Sequence, residues 1–378
     1  MNPRVILLVA LSAAAAAAVY FFLSPSTPPA ATGGAADSRP AAPASGEVQP
    51  TGGAGKNFAA ENSPGSDGKK PAMNWERFIS ESSTEATAED IARFLAKHGE
   101  TPANLVTAFE HSHDRRLLEH ALELFPNSPI VLMIAVDSIP SSPAPKPGET
   151  YQPDAQRMAF IERFKAADPN NPLPWIYSAQ ELFKAGQTGD AVADIRAALE
   201  RPAFYTYANE RMDSTQQFLE DGGHSPVEAG LIAMASLPLP HMSAAMQASR
   251  SLTEWQKAAT ESGDTASAAD AIQLTYNLGR TFATPEASRT LIGQLVGISM
   301  EYGALKALPA DAQPDWLAVT PAQRIAEMEA QKQNVRDLTA GFEWVMQSQN
   351  EQLLGEYLRR NRNDGELSAL TWLKAQRK

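Results

Sequence analysis

The chain has 378 residues, 43% of them hydrophobic and 20% charged, with 44 acidic against 32 basic side chains and no cysteine. The lack of Cys excludes disulfides, thiolate metal sites, iron–sulfur clusters and a cysteine nucleophile. A net charge of -12 excludes a nucleic-acid binder that works by neutralising phosphates.

Val5 to Leu23 is an unbroken apolar run in which only Ser12 and Tyr20 carry a polar atom. As a helix it would extend about 28 Å, close to the roughly 30 Å hydrocarbon core of a bilayer. Arg4 precedes the run and no Lys or Arg follows until Arg39, which puts the N-terminus in the cytoplasm. Residues 1–23 are therefore expected to be a transmembrane signal-anchor in a bacterial inner membrane, with the remainder periplasmic or extracytoplasmic. The alternative is a signal peptide cleaved near Ala13 to Ala18, which releases the protein to the periplasm.

Residues 24–72 have another composition: 36 of these 49 residues are Pro, Gly, Ala, Ser or Thr. Such a segment buries too little apolar surface to offset its ordering entropy, so it is expected to be a disordered linker. As a flexible coil it would span about 35 to 42 Å. Before residue 73 lie five basic and four acidic side chains, so the rest of the chain holds -13 of the -12 total. Gly52-Gly53-Ala54-Gly55-Lys56-Asn57 is not a phosphate loop: Pro50 and Asn57 replace its first Gly and its hydroxyl, and no strand precedes it.

From Met73 onward apolar residues recur at helical spacing, and the expected fold class is all-α. Helices are expected at 88–98, 102–111, 114–125, 129–138, 154–167, 173–185, 189–200, 207–220, 226–236, 241–262, 265–281, 285–305, 321–348, 351–361 and 365–376. Five starts share one signature, a hydroxyl residue before Pro: Thr101-Pro102, Ser128-Pro129, Ser225-Pro226, Thr284-Pro285 and Thr320-Pro321. The hydroxyl can cap the first turn, and Pro at the next position loses no helical hydrogen bond. Short connections favour antiparallel hairpins, with a Pro-rich excursion over 138–153. Two divisions are expected, a helical domain at 73–310 and a C-terminal helical extension or cap at 311–378, whose long helix from Pro321 covers the last hairpin.

Within Trp175 to Pro202, Ala179 and Leu182 face inward, Gly186 breaks the first helix, and Ala191, Ile195 and Ala198 form the buried face of a second. A further unit begins at Leu252, with Gly263-Asp264, Ala268 and Ile272. Leu252 to Ala268 is sixteen residues, as is Trp175 to Ala191, and both continue to an Ile four residues on. This pattern resembles the tetratricopeptide repeat, a helical hairpin that stacks into a right-handed solenoid, with an irregular helical bundle as the alternative. Phe164 to Pro172 looks like that family's turn between units. Ser178 departs from the family's inward Leu, and the two units are offset by 77 residues rather than a multiple of 34.

The resemblance implies a peptide-binding groove lined by the first helix of each hairpin. Carried over by position, it selects Leu173, Ile176, Gln180, Phe183 and Lys184 in one unit and Arg250, Thr253 and Lys257 in the next. The implied partners are proteins or peptides of the cell envelope, with a lipid bilayer engaged only through the N-terminal helix.

Other chemistry is sparse. His111, His113 and His120, beside Glu110, Asp114 and Glu119, are the candidate metal ligands, weighed against a solvated helix-to-helix turn. Pairs such as Glu89-Asp90 and Glu220-Asp221 read as helix-front charges and solvated faces. No catalytic residue and no cofactor are expected. The function expected is a non-catalytic scaffold or envelope assembly factor. An all-helical hydrolase of cell-wall glycans and a His-cluster metal-binding protein stand as alternatives.

Overall fold

The computed structural model describes residues 86–139, 151–201, 205–283, 289–348 and 350–377. The apolar N-terminal run, the linker, the loop at Lys56 and Thr284-Pro285 lie outside the described residues. Among those described there is no strand, and no helix is long and apolar enough to cross a membrane.

The helices are α1 (Ala88–His98), α2 (Pro102–Ser112), α3 (Arg115–Leu124), α4 (Pro129–Ser138), α5 (Ala155–Ala167), α6 (Leu173–Lys184), α7 (Thr188–Leu199) and α8 (Ala208–Asp221). They continue as α9 (Pro226–Ala235), α10 (Pro240–Ser262), α11 (Thr265–Ala283), α12 (Leu291–Lys306), α13 (Pro321–Ser348), α14 (Glu351–Asp364) and α15 (Glu366–Gln376). Local chemistry sets the starts. Thr87 and Asp90 form a reciprocal capping box on α1, and Ser225 and Glu228 form another on α9. Thr101 accepts from the Asn104 amide at 3.2 Å, and Thr320 from the Gln323 amide at 3.3 Å. Ser128 makes no side-chain cap, leaving Pro129 alone to pre-set the first turn of α4. α12 begins at Leu291, with Thr290 as its cap, rather than at Pro285.

Side chains from α2 to α7 and α10 to α12 form the main core, centred on Leu105, Leu132, Ile161, Leu173, Ile176 and Ile195. α6 packs against α5, α7 and α10, while α7 packs against α11, so hairpin α6–α7 lies beside hairpin α10–α11. Both turn on a glycine with positive φ, Gly186 at 71° and Gly263 at 78°. The intervening α8–α9 pair leaves this stack: α8 packs on α2, and α9 on α14.

A second core joins Leu231 and Ile232 of α9, Leu291 of α12, and α13 to α15 through Val335, Leu338, Leu354, Tyr357 and Leu370. This core draws side chains from both sides of the expected division at 310/311. α13 packs on α12. Its Lys332, which interrupts the apolar seam, is buried with its ammonium 4.7 Å from the Tyr302 ring centre and 3.1 Å from Glu329.

Candidate functional site: a buried polar seat beneath helix α8

The expected groove is only partly a surface. Leu173 and Ile176 belong to the main core, at 0% and 1% exposure, and cannot line a groove. Gln180 is also buried and donates to Gln247 of α10. The cause is packing on α6 by α5, α7 and α10, to which Tyr151 adds a hydroxyl donated to Glu181; residues 140–150 of the expected Pro-rich excursion lie outside the described residues. Phe183 and Lys184 are half-buried, the latter 3.7 Å from Glu181, and burial pulls the Lys184 ammonium below its ordinary pKa. Arg250, Thr253 and Lys257 are exposed along α10.

A set of ionisable side chains gathers instead where α2, α4, α5, α6, α8 and α10 meet. Arg157 of α5 donates to Glu181 at 3.2 Å and to the Ile139 carbonyl at 2.8 Å, closing the C-terminal end of α4. Tyr177 of α6 donates to Asp137 Oδ1 at 2.8 Å. Arg211 of α8, 2% exposed, pairs with Glu110 of α2. Its charge also reaches Asp137 and, on α10, the buried His241.

The electrostatics follow from burial. Desolvation pushes the Asp137 carboxyl up to about 7 against the pull of Tyr177, Arg157 and Arg211, and the nearby Glu110 charge adds to the rise. Desolvation also raises Glu110, opposed by Arg211. Burial, helped by the Arg211 charge, drops the His241 imidazole to about 3, so it is neutral at pH 7. Three polar atoms here are shut from solvent without a hydrogen-bond partner: Thr107 Oγ1, Asp137 Oδ2 and Arg211 Nε.

α8 is seated along one face at positions i, i+3, i+7 and i+10. Arg211 meets Glu110, and Ser214 donates to Asn104 Oδ1 at 2.8 Å. Phe218 packs edge-on against Phe94 at 5.4 Å and stacks on His111 at 4.7 Å. Asp221 accepts from Lys97 at 2.5 Å and lies 2.9 Å from His98 Nε2. No side chain of α8 belongs to the main core. The seat combines ion pairs at its two ends with the aromatic contacts of Phe218 between them.

The histidines do not converge. His111 is taken by the Phe218 stack, and burial with the His113 charge lowers its pKa to about 4. His113 is exposed in the left-handed conformation (φ 54°) that ends α2, and His120 pairs with Glu100 at 3.1 Å. Among the described residues no group of three or more His, Asp or Glu is placed to hold a metal. A hydrolytic carboxylate pair must reach both substrate and water. Glu110 and Asp137 are instead engaged by Arg211 and Tyr177 in a seat that the Arg211 side chain covers.

Arg211 and Asp137 belong to no motif in the sequence, and Glu110 stands there only as a neighbour of the histidines, yet one signal is present. Asp137 is the lone carboxylate ending Ile130 to Val136, a helix apolar on every side. Compared with known proteins, the chain matches no family model, no curated protein and no solved structure.

Proposed function

We propose that the protein is a membrane-tethered scaffold or envelope assembly factor that binds protein or peptide partners outside the cytoplasm through a stack of tetratricopeptide-like hairpins. One observation carries the reading. The two hairpins that share a sixteen-residue spacing in sequence, α6–α7 and α10–α11, lie side by side although 77 residues offset them. Stacked helical hairpins present broad side-chain surfaces, which suit macromolecular partners better than small molecules. The open part of the implied binding face is Arg250, Thr253 and Lys257 on α10, and the apolar run Val5 to Leu23 supplies the attachment to the bilayer.

The test is capture of partners from solubilised membranes by the full-length chain and by an Arg250→Glu, Lys257→Glu variant. Loss of specific partners from the variant supports the assignment. Unchanged recovery removes the α10 face, and the absence of any specific partner removes the scaffold reading. A reporter enzyme fused after Lys378 and active only outside the cytoplasm checks the orientation.

A further inference from the structure

We infer that the seat beneath α8 is itself a ligand-binding groove, whose ligand is a helical peptide presenting an arginine, a small hydroxyl residue three positions on and an aromatic residue seven positions on. In the resting chain α8 occupies that groove as a built-in competitor. The inference rests on the scaffold reading and adds to it a second binding site, apart from the α10 face.

Three observations support it. The contacts of α8 follow the i, i+3, i+7 pattern by which a helix lies in a groove, with Arg211, Ser214 and Phe218 as anchors. No residue of α8 itself is a member of the main core, whose nearest contribution is the cap residue Tyr207, and α8 gives only Leu219 to the second core. The fit is also incomplete: Arg211 Nε, Asp137 Oδ2 and Thr107 Oγ1 are buried without partners. An unpartnered buried polar atom forfeits the hydration it had in water and gains no bond in exchange. A ligand whose guanidinium spans Glu110 and Asp137 would satisfy atoms that α8 leaves unmatched, as bidentate arginine–carboxylate geometry permits. The groove selects for a cation because two carboxylates, from α2 and α4, face the position that Arg211 fills.

The probe is a fluorescently labelled peptide of residues 205–223, added to the full-length protein and followed by anisotropy. An Arg211→Ala chain, whose own α8 is loosened, is expected to bind the peptide at least tenfold more tightly than the unaltered chain. The same peptide carrying Arg211→Ala should lose that binding. A second arm uses the cysteine-free background: Asn104→Cys with Ser214→Cys replaces the hydrogen-bonded pair, so that oxidation pins α8 in its seat. Peptide binding should vanish on oxidation and return on reduction. If Arg211→Ala does not fold by circular dichroism, the oxidised and reduced states of the cysteine pair decide alone. Equal binding by pinned and released chains, or binding by neither, overturns the inference. Such a result leaves partner capture through Arg250 and Lys257 standing, so the two readings fail separately.

Discussion

Gly279 of α11 and Gly297 of α12 face each other so closely that a Cβ on Gly297 would stand 2.5 Å from the Gly279 carbonyl oxygen. The obstacle is backbone, which cannot swing aside as a side chain end can. Gly297→Ala should therefore force α11 and α12 apart and cost about 3 kcal/mol, at the upper end for overpacking. Gly303, later in α12, meets nothing within 4 Å, and Gly303→Ala should stabilise by about 0.5–1 kcal/mol through helix propensity. Urea unfolding of the two variants should move the midpoint in opposite directions. A shift of the same sign would contradict the close approach.

Arg211 and Glu110 should be strongly coupled. Removing the cation by Arg211→Met leaves a largely desolvated carboxylate alone, at a cost of about 3 kcal/mol. Because Glu110→Gln removes the charge that needed compensating, the double variant should cost less than the two single changes together, by about 1–3 kcal/mol. Strict additivity in chemical denaturation would show that the pair contributes nothing beyond its parts.

Asp137 should give the protein an unusual pH dependence. Its carboxyl titrates near 7 in the folded chain against about 3.9 unfolded, because burial disfavours the charge. Between roughly pH 4 and 7 the folded state holds a proton that the unfolded state has released. Stability therefore falls as pH rises through that window, by up to about 1.4 kcal/mol per pH unit, and the loss is complete above 7. Asp137→Asn is neutral throughout and should lack this component. Unfolding free energies at pH 5.5 and 8 should diverge more for the unaltered protein, and parallel behaviour would rule the assignment out.

Ser225→Ala should cost about 1 kcal/mol, since the buried hydroxyl accepts from the Glu228 amide at 3.2 Å. Hydrogen exchange at that amide should accelerate while amides in the middle of α6 stay protected. Uniform acceleration across the chain would argue against a local cap.

Helix positions were largely legible because their signals are local: Thr101, Ser225 and Thr320 cap their own first turns, and Gly186 and Gly263 end their helices in backbone conformations that other residues avoid. The site was not legible because its pairs are remote. Arg211 and Glu110 are 101 positions apart, and nothing near either one shows that the other completes it. The groove assignment failed at Leu173 and Ile176 for a related reason. Helical periodicity marks an apolar face, but not how many neighbours a helix has. α6 has α5, α7 and α10 as neighbours, and Tyr151 donates to its Glu181 from a stretch of sequence that has no periodicity to read.

The side-by-side arrangement of α6 and α10 also sets an order on folding. Gln180 and Gln247, which bond across that contact, are 67 positions apart, so α8 and α9 must be looped out before the stack can close. Loop length itself adds little, about 0.6 kcal/mol per doubling, but non-local pairing forms late. A chain that emerges N-terminus first has α6 packed on α5 and α7 while the side meant for α10 is still bare.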